Sequence, residues 1–320
     1  MSTNKEVIFA VPGSKVFISK YYNNRVNSFL NISLTGKKCE LMCSHCRARL
    51  LSDMIDINPA DFVFSDGLTP DKNRIMEIII RNQNKGTQTS VNGVLISGGF
   101  DSRGRLPLDE RILPEIKEVK NKYGREIKIF MHLGFTDRQT ADSLYECGID
   151  GVLVNIFSDR HSIEEIYNLK GCSPVMFYEN ARLLKEAGLH VSPHLIIGSG
   201  DSSLSGEYRS VKEIAELGAD SCVFVIAKNL SKQNRPRLPE VKPLEVVKLF
   251  EYAKSKMPGI PVILGCARPH GQEFEKMEIE LLKLGVNVIA FPSGRTLDYA
   301  KDNNYSFHFE EQCCAFLVNQ

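Results

Sequence analysis

The sequence predicts an α/β protein folded as a TIM-type (β/α)8 barrel, or as a partly open version of one. Three observations predict it. First, a helix-like stretch that ends at a glycine and runs into a short apolar segment recurs at Gly148, Gly188, Gly218 and Gly285. Glycine takes the left-handed conformation that stops a helix. Second, the apolar segments that follow suit strands buried on both faces, as in a parallel sheet. Third, the residues with chemical reach fall just after those strands, where barrels of this kind keep their active sites.

Taken in chain order, residues 1–30 read as an N-terminal extension. Residues 31–303 read as the barrel, and 304–320 as a C-terminal tail folding over the rim. Upstream of the marked repeats, apolar runs place strands at 31–35, 93–97 and 127–132. The marked repeats supply strands ending at Val154, Ile197, Ile226 and Phe291, and the unmarked run 261–265 completes eight. Helices are expected near 71–82, 108–123, 137–147, 174–187, 210–217, 244–256 and 273–284. The stretch 228–242 carries Pro with Lys228, Lys232, Arg235 and Arg237. It is the longest irregular segment within the repeats and is expected to cross the rim after the sixth strand. Its basic side chains could meet an acidic carrier protein, although a solvated loop is the simpler reading.

Composition narrows the function. The 320 residues are 42% hydrophobic and 25% charged, the balance of a globular protein, with a net charge of +1. That charge gives no whole-chain case for nucleic acid or an anionic membrane. No leader-like N-terminus and no bilayer-length apolar run is present, so a cytoplasmic location is expected. The nine cysteines, an odd number in a chain too large to need disulfides, read as thiols in a reducing compartment.

Three of them, Cys39, Cys43 and Cys46, follow the first predicted strand as C-x3-C-x2-C. Thiolates are soft donors that suit iron–sulfur clusters or zinc. A zinc ribbon wants a second C-x2-C pair, which the chain lacks. Three ligands leave one metal position open for chemistry. Gly98-Gly99-Phe100-Asp101 follows the second strand, Asn155 ends the fourth, and Gly198 with Ser199 and Gly200 follows the fifth. Each glycine pair is also what an ordinary βα turn produces. His194 lies within the fifth strand, where a satisfied core histidine is an equal reading.

A C-x3-C-x2-C loop after the first strand of such a barrel resembles the radical S-adenosylmethionine (SAM) superfamily. The resemblance implies a [4Fe–4S] cluster on Cys39, Cys43 and Cys46, with SAM on the free iron. Reductive cleavage of SAM would then give a 5′-deoxyadenosyl radical, with electrons from a reductant such as ferredoxin or flavodoxin. It implies SAM contacts from Gly98, Gly99, Phe100, Asp101, Asn155, His194 and Gly198. His45 stands where the superfamily usually has an aromatic residue, and Asp101 comes one place later than the usual acidic residue.

A finer resemblance rests on Leu34-Thr-Gly-x-x-Cys39, Ile96-Ser-Gly-Gly-x-Asp101, Leu264-Gly-Cys266-x-Arg-Pro269 and Ala290-Phe-Pro-Ser293. It is similar to a biotin-synthase-like group that includes the split, two-protein lipoyl synthase. It implies sulfur insertion into an octanoyl chain on a carrier protein or peptide, alongside a sister radical SAM subunit. It also gives meaning to further thiols. Cys147 and Cys222 read as small core residues. Cys172, Cys266, Cys313 and Cys314 are expected to converge on a second [4Fe–4S] cluster if the tail covers the rim. Two alternatives stand beside this reading: a single-cluster radical SAM mutase or metal-cofactor maturase, and a non-catalytic zinc-binding interaction module.

Overall fold

The computed structural model describes residues 6–58, 73–83, 91–200, 203–230 and 238–318. Its elements are β1 Glu6–Ala10, β2 Phe29–Ser33, β3 Ile55–Asp56, α1 Arg74–Gln83, β4 Gly93–Ser97 and α2 Ile112–Tyr123. There follow β5 Lys128–Leu133, α3 Arg138–Glu146, β6 Gly151–Ile156, α4 Pro174–Glu186, β7 Val191–Ile197, α5 Ser205–Leu217 and β8 Cys222–Ile226. The chain ends with α6 Pro243–Lys256, β9 Val262–Leu264, α7 Gln272–Lys283, β10 Val288–Ala290, α8 Gly294–Asp302 and β11 Ser306–Glu310. The eight predicted strands are β2 and β4 to β10. All four marked glycines hold positive φ, at 79° for Gly148, 86° for Gly188, 62° for Gly218 and 78° for Gly285. Side chains close other helix starts: Asp137 accepts from the Thr140 N–H, and Ser293 from that of Thr296.

The strands form one sheet in the order β11-β1-β10-β9-β8-β7-β6-β5-β4-β2-β3, every pair parallel. The barrel is partly open for a visible reason. The free edge of β2 pairs with β3, and that of β10 pairs with β1, so the first and eighth barrel strands do not meet. The N-terminal segment therefore supplies a strand of the sheet, and the tail supplies another, β11, on the far side of β1.

Strand side chains alternate between two cores. Leu30, Ile32, Val94, Ile96, Ile129, Met131, Val152 and Val154 face outward into the main core with the helices. Phe29, Phe130, Leu153, Val223, Ile263 and Val288 face inward, and together with Cys313, Cys314, Ala315 and Phe316 they form a second, smaller core. This corrects the expected course of the tail. It does not fold over the rim; it plugs the opposite, N-terminal end of the barrel. Phe316 stacks on Phe130 at 4.2 Å, Ser221 Oγ donates to the Ala315 carbonyl, and Gln312 Nε2 donates to the Asn92 carbonyl. Ser221 and Asn92 each immediately precede a strand. The physical reason lies in strand tilt: register climbs around the sheet, so the far edge carrying β11 delivers the chain to the foot of β2.

Candidate active site in the barrel lumen

The cysteine loop leaves β2 at the C-terminal end of the sheet. It is wound tightly, with Met42, Arg47 and Ala48 at φ of 43°, 46° and 61°. Neighbouring loops hold it. The Glu40 N–H donates to the Phe100 carbonyl at 2.9 Å, the Ser44 N–H to that of Ile166 at 2.9 Å, and the Leu230 N–H to that of His45 at 3.1 Å. Cys43 and Cys46 are buried and Cys39 half-buried. Burial pushes the thiols of Cys43 and Cys46 up, and neighbouring thiols of the loop add to this, so the three lie close enough to oppose one another's ionisation. The Cys39 thiol points to the Phe100 carbonyl at 3.8 Å and that of Cys43 to the Tyr167 carbonyl at 3.7 Å. No three metal-ligating side chains among the described residues yet converge on a point.

The donor set fits an iron–sulfur cluster. Three soft thiolate donors come from one short loop, and a positive centre would remove their mutual repulsion. Gly98 and Gly99 are cut to this loop. A Cβ on Gly99 would lie 2.5 Å from Cys39 Cα, so only glycine lets the two backbones touch. The Gly99 N–H donates to Thr35 Oγ1 at 2.7 Å. His45 takes the aromatic position by packing against Tyr167, ring centroids 5.0 Å apart, and burial lowers its pKa to about 4. Tyr167 carried no sequence signal, because only the packed π-turn over 162–166 brings it beneath the loop.

The other expected SAM residues divide. Asp101 Oδ1 accepts from the Arg103 and Arg105 N–H groups and closes its own turn. The Gly198 N–H is taken by Glu207 Oε1 at 2.8 Å, and Val241 fills the place of a Cβ there. Lys232, Arg235 and Arg237 of the basic loop lie outside the described residues. Asn155 and His194 are register neighbours on β6 and β7.

Below the cysteine loop the lumen is lined by side chains that keep part of their surface accessible. Asn31, Leu95, His132, Asn155, His194 and Val225 are half-accessible within their strands, and all carry the inward parity. Barrel interiors of this class are normally filled by layers of side chains; here the layer above the plug keeps part of its surface accessible. His132, which the sequence reading passed over, stands among them. Its Nε2 lies 3.3 Å from Asn155 Oδ1, its ring 5.1 Å from that of His194, and Phe100 sits edge-on above it at 6.1 Å.

Cys266 completes this layer. The Gly265 N–H donates to the Phe224 carbonyl and the Ile226 N–H to that of Ala267, which sets Cys266 beside Val225. It is an exposed residue, and its thiol interacts electrostatically with those of Cys313 and Cys314. Burial raises the Cys266 thiol, while Lys15 and Arg268 oppose this with positive charge. A bond from Cys314 holds Cys313 below its usual value and pushes Cys314 well up. Cys172 is not part of this group: it is buried in the outer core with Leu169 and Phe177. The four-thiol convergence expected from the sequence does not form: the tail runs to the floor rather than to the rim where Cys172 lies, and among the described residues Cys266, Cys313 and Cys314 do not gather as a metal-ligand set. Cys147 and Cys222 are buried core residues.

Arg268 explains the motif Leu264-Gly-Cys266-x-Arg-Pro269. It is 1% exposed and donates to the carbonyls of Gly265, Ala290 and Phe291 and to Glu278 at 2.7 Å. Glu278 in turn accepts from the Ser293 N–H and Thr296 Oγ1. This network clamps the turn that presents Cys266.

No protein-family model matches the chain, and no curated protein matches it. Solved structures do. HydG, a maturase of the [FeFe]-hydrogenase, superposes with a TM-score of 0.57 at 15% identity over 98% of this chain and 66% of its own. Methylornithine synthase (PylB) gives 0.51 at 17%, over 82% of this chain and 71% of its own. Streptococcus suis SuiB bound to S-adenosylmethionine gives 0.51 at 15%, over 82% and 58%. The chain thus spans less than two thirds of that HydG and of SuiB. At this identity the likeness defines the fold alone: a partly open parallel α/β barrel like those of these structures.

Proposed function

We propose that this chain is a radical SAM enzyme that inserts sulfur into an octanoyl chain carried on a protein or peptide. One observation supports the reading: the thiols of Cys39, Cys43 and Cys46 stand together in the loop at one end of the lumen, while those of Cys313 and Cys314 lie in the plug at the other and interact electrostatically with Cys266. Cys39, Cys43 and Cys46 would hold a [4Fe–4S] cluster that, with SAM, would supply hydrogen-abstracting radical chemistry, and Cys266, Cys313 and Cys314 would hold a second cluster as the source of sulfur. The chain's own part is positional. Gly98 and Gly99 let their loop lie against Cys39. Arg268 fixes the turn of Cys266. Phe316 and its neighbours seal the floor against water, which would otherwise reach a reactive carbon.

The reading requires an octanoylated carrier or peptide as substrate, a reductant such as ferredoxin or flavodoxin, and a sister radical SAM subunit as partner. The folds of HydG and PylB favour a second reading, a maturase or mutase with one cluster. Anaerobic reconstitution with octanoyl-lysyl peptide, with and without a sister subunit, separates them. Sulfur insertion predicts a mass gain and about eight irons per chain. SAM cleavage with no mass gain and about four irons supports the maturase or mutase. A colourless zinc protein that leaves SAM intact under dithionite would indicate a non-catalytic module.

A further inference from the structure

Between the two thiol groups the lumen carries a belt of uncharged polar side chains. His194 lies in the middle of β7, half-accessible, facing inward. Among the described residues nothing hydrogen-bonds its ring nitrogens, and neither nitrogen is sealed from solvent. A core histidine satisfied by its surroundings would show the opposite on both counts. His132 uses Nε2 on Asn155 and keeps Nδ1. With the proton on Nε2, His132 offers an acceptor to the lumen and Asn155 Nδ2 offers donors.

We propose that His194 and Asn155, which the resemblance assigns to SAM, act instead with His132 to grip the amide of the substrate, an uncharged group with one acceptor and one donor, while its alkyl chain lies against the apolar part of the lumen. This rests on the octanoyl reading above, where the carrier linkage is such an amide. Charge decides between an amide and a free carboxylate. Burial lowers the pKa of both histidines, and His132 further lowers that of His194. Near neutral pH both rings are uncharged, so a carboxylate meets no cation there and loses its hydration unpaid. An amide loses little, because each of its hydrogen-bonding groups finds a partner. Leu95, Val225 and the floor residues Phe130 and Leu153 give the alkyl chain its contacts.

The test measures binding to reconstituted protein at neutral pH, separately for SAM, octanoyl-lysyl peptide and octanoate. Wild type should bind the peptide at least about tenfold more tightly than octanoate, and His194→Leu should weaken the peptide about tenfold. His194→Leu should leave SAM affinity unchanged, and His194→Gln should restore most of the peptide affinity. Should His194→Leu fail to load iron, His194→Gln and His132→Leu are read in the same way. A parallel loss of SAM affinity overturns the proposal and assigns the belt to SAM. Unchanged peptide affinity in the leucine variants overturns the belt alone. No peptide binding by wild type overturns the octanoyl reading, and the amide assignment with it.

Discussion

The rim and the floor of the lumen draw their cysteines from the chain by opposite means. The rim set comes from eight consecutive residues, 39–46, held by backbone bonds to neighbouring loops. The floor set is assembled from the turn after β9 and from the chain's last segment. The rim therefore needs only a strand end and two glycines to exist. The floor needs the complete sheet, the tilt that brings β11 around to the foot of β2, and a buried arginine. The difference teaches which site should fail with the fold and which with the loop.

The sharpest way to break the comparison is to remove one thiol from each set. Cys43→Ala should abolish reductive SAM cleavage. Cys266→Ala should leave SAM cleavage in place, lower the iron content by about four per chain and eliminate sulfur insertion. Iron analysis together with 5′-deoxyadenosine chromatography checks both. If Cys266→Ala behaved like wild type in iron content and product, the floor would be an ordinary plug and the two thiol groups would not share a reaction.

The next effect is on stability and belongs to the floor alone. Arg268→Met leaves Glu278 buried without its partner and three carbonyls without a donor. The expected loss is about 3–5 kcal/mol, read from urea unfolding of the metal-free protein. A replacement that cost under about 1 kcal/mol would show that the turn of Cys266 holds without its clamp.

These contrasts also mark what was legible in sequence. The eight barrel strands and the rim thiols were, since each rests on short-range pattern: a helix, a glycine with positive φ, an apolar run, three cysteines within one turn of chain. The tail was not. Ser306–Glu310 is half-polar because it edges the sheet, so it gave no buried-strand signal. Its direction depends on sheet tilt, which no local window contains. The misplacement of Cys172 follows from that one error. His132 was passed over for another reason: within the apolar run of β5 a single histidine looks like a core residue, and only its half-accessible place in the lumen distinguishes the two.

The rim has its own, smaller test. Gly99→Ala puts a methyl group against the Lys38 carbonyl and Cys39 Cα, atoms of backbone that cannot swing aside. Overpacking of this kind costs about 1–3 kcal/mol. The cost should appear at the rim, as weaker SAM binding and slower cluster loading, with the floor thiols unaffected. Loss of the floor cluster in the same variant would mean that the two ends of the barrel are coupled through the sheet.

The smallest effect probes the layer between rim and floor. His132 and His194 have pKa values lowered by burial, below the roughly 6.5 of an unfolded chain. As pH falls through about 6.5, the unfolded chain takes up protons that these two sites in the folded state refuse. The folded state then loses stability, and the loss continues down to the folded-state values. Above about 6.5 both forms are neutral and their contribution is complete. The metal-free protein should therefore unfold at lower urea concentration at pH 5.5 than at pH 7.5, and the drop should be shallower for a His132→Gln, His194→Gln double variant. His45, lowered to about 4 by burial, is present in both proteins and cancels from the difference. Equal slopes would mean that water reaches the two imidazoles freely. In that case the belt is not desolvated, and its discrimination between an amide and a carboxylate disappears with it.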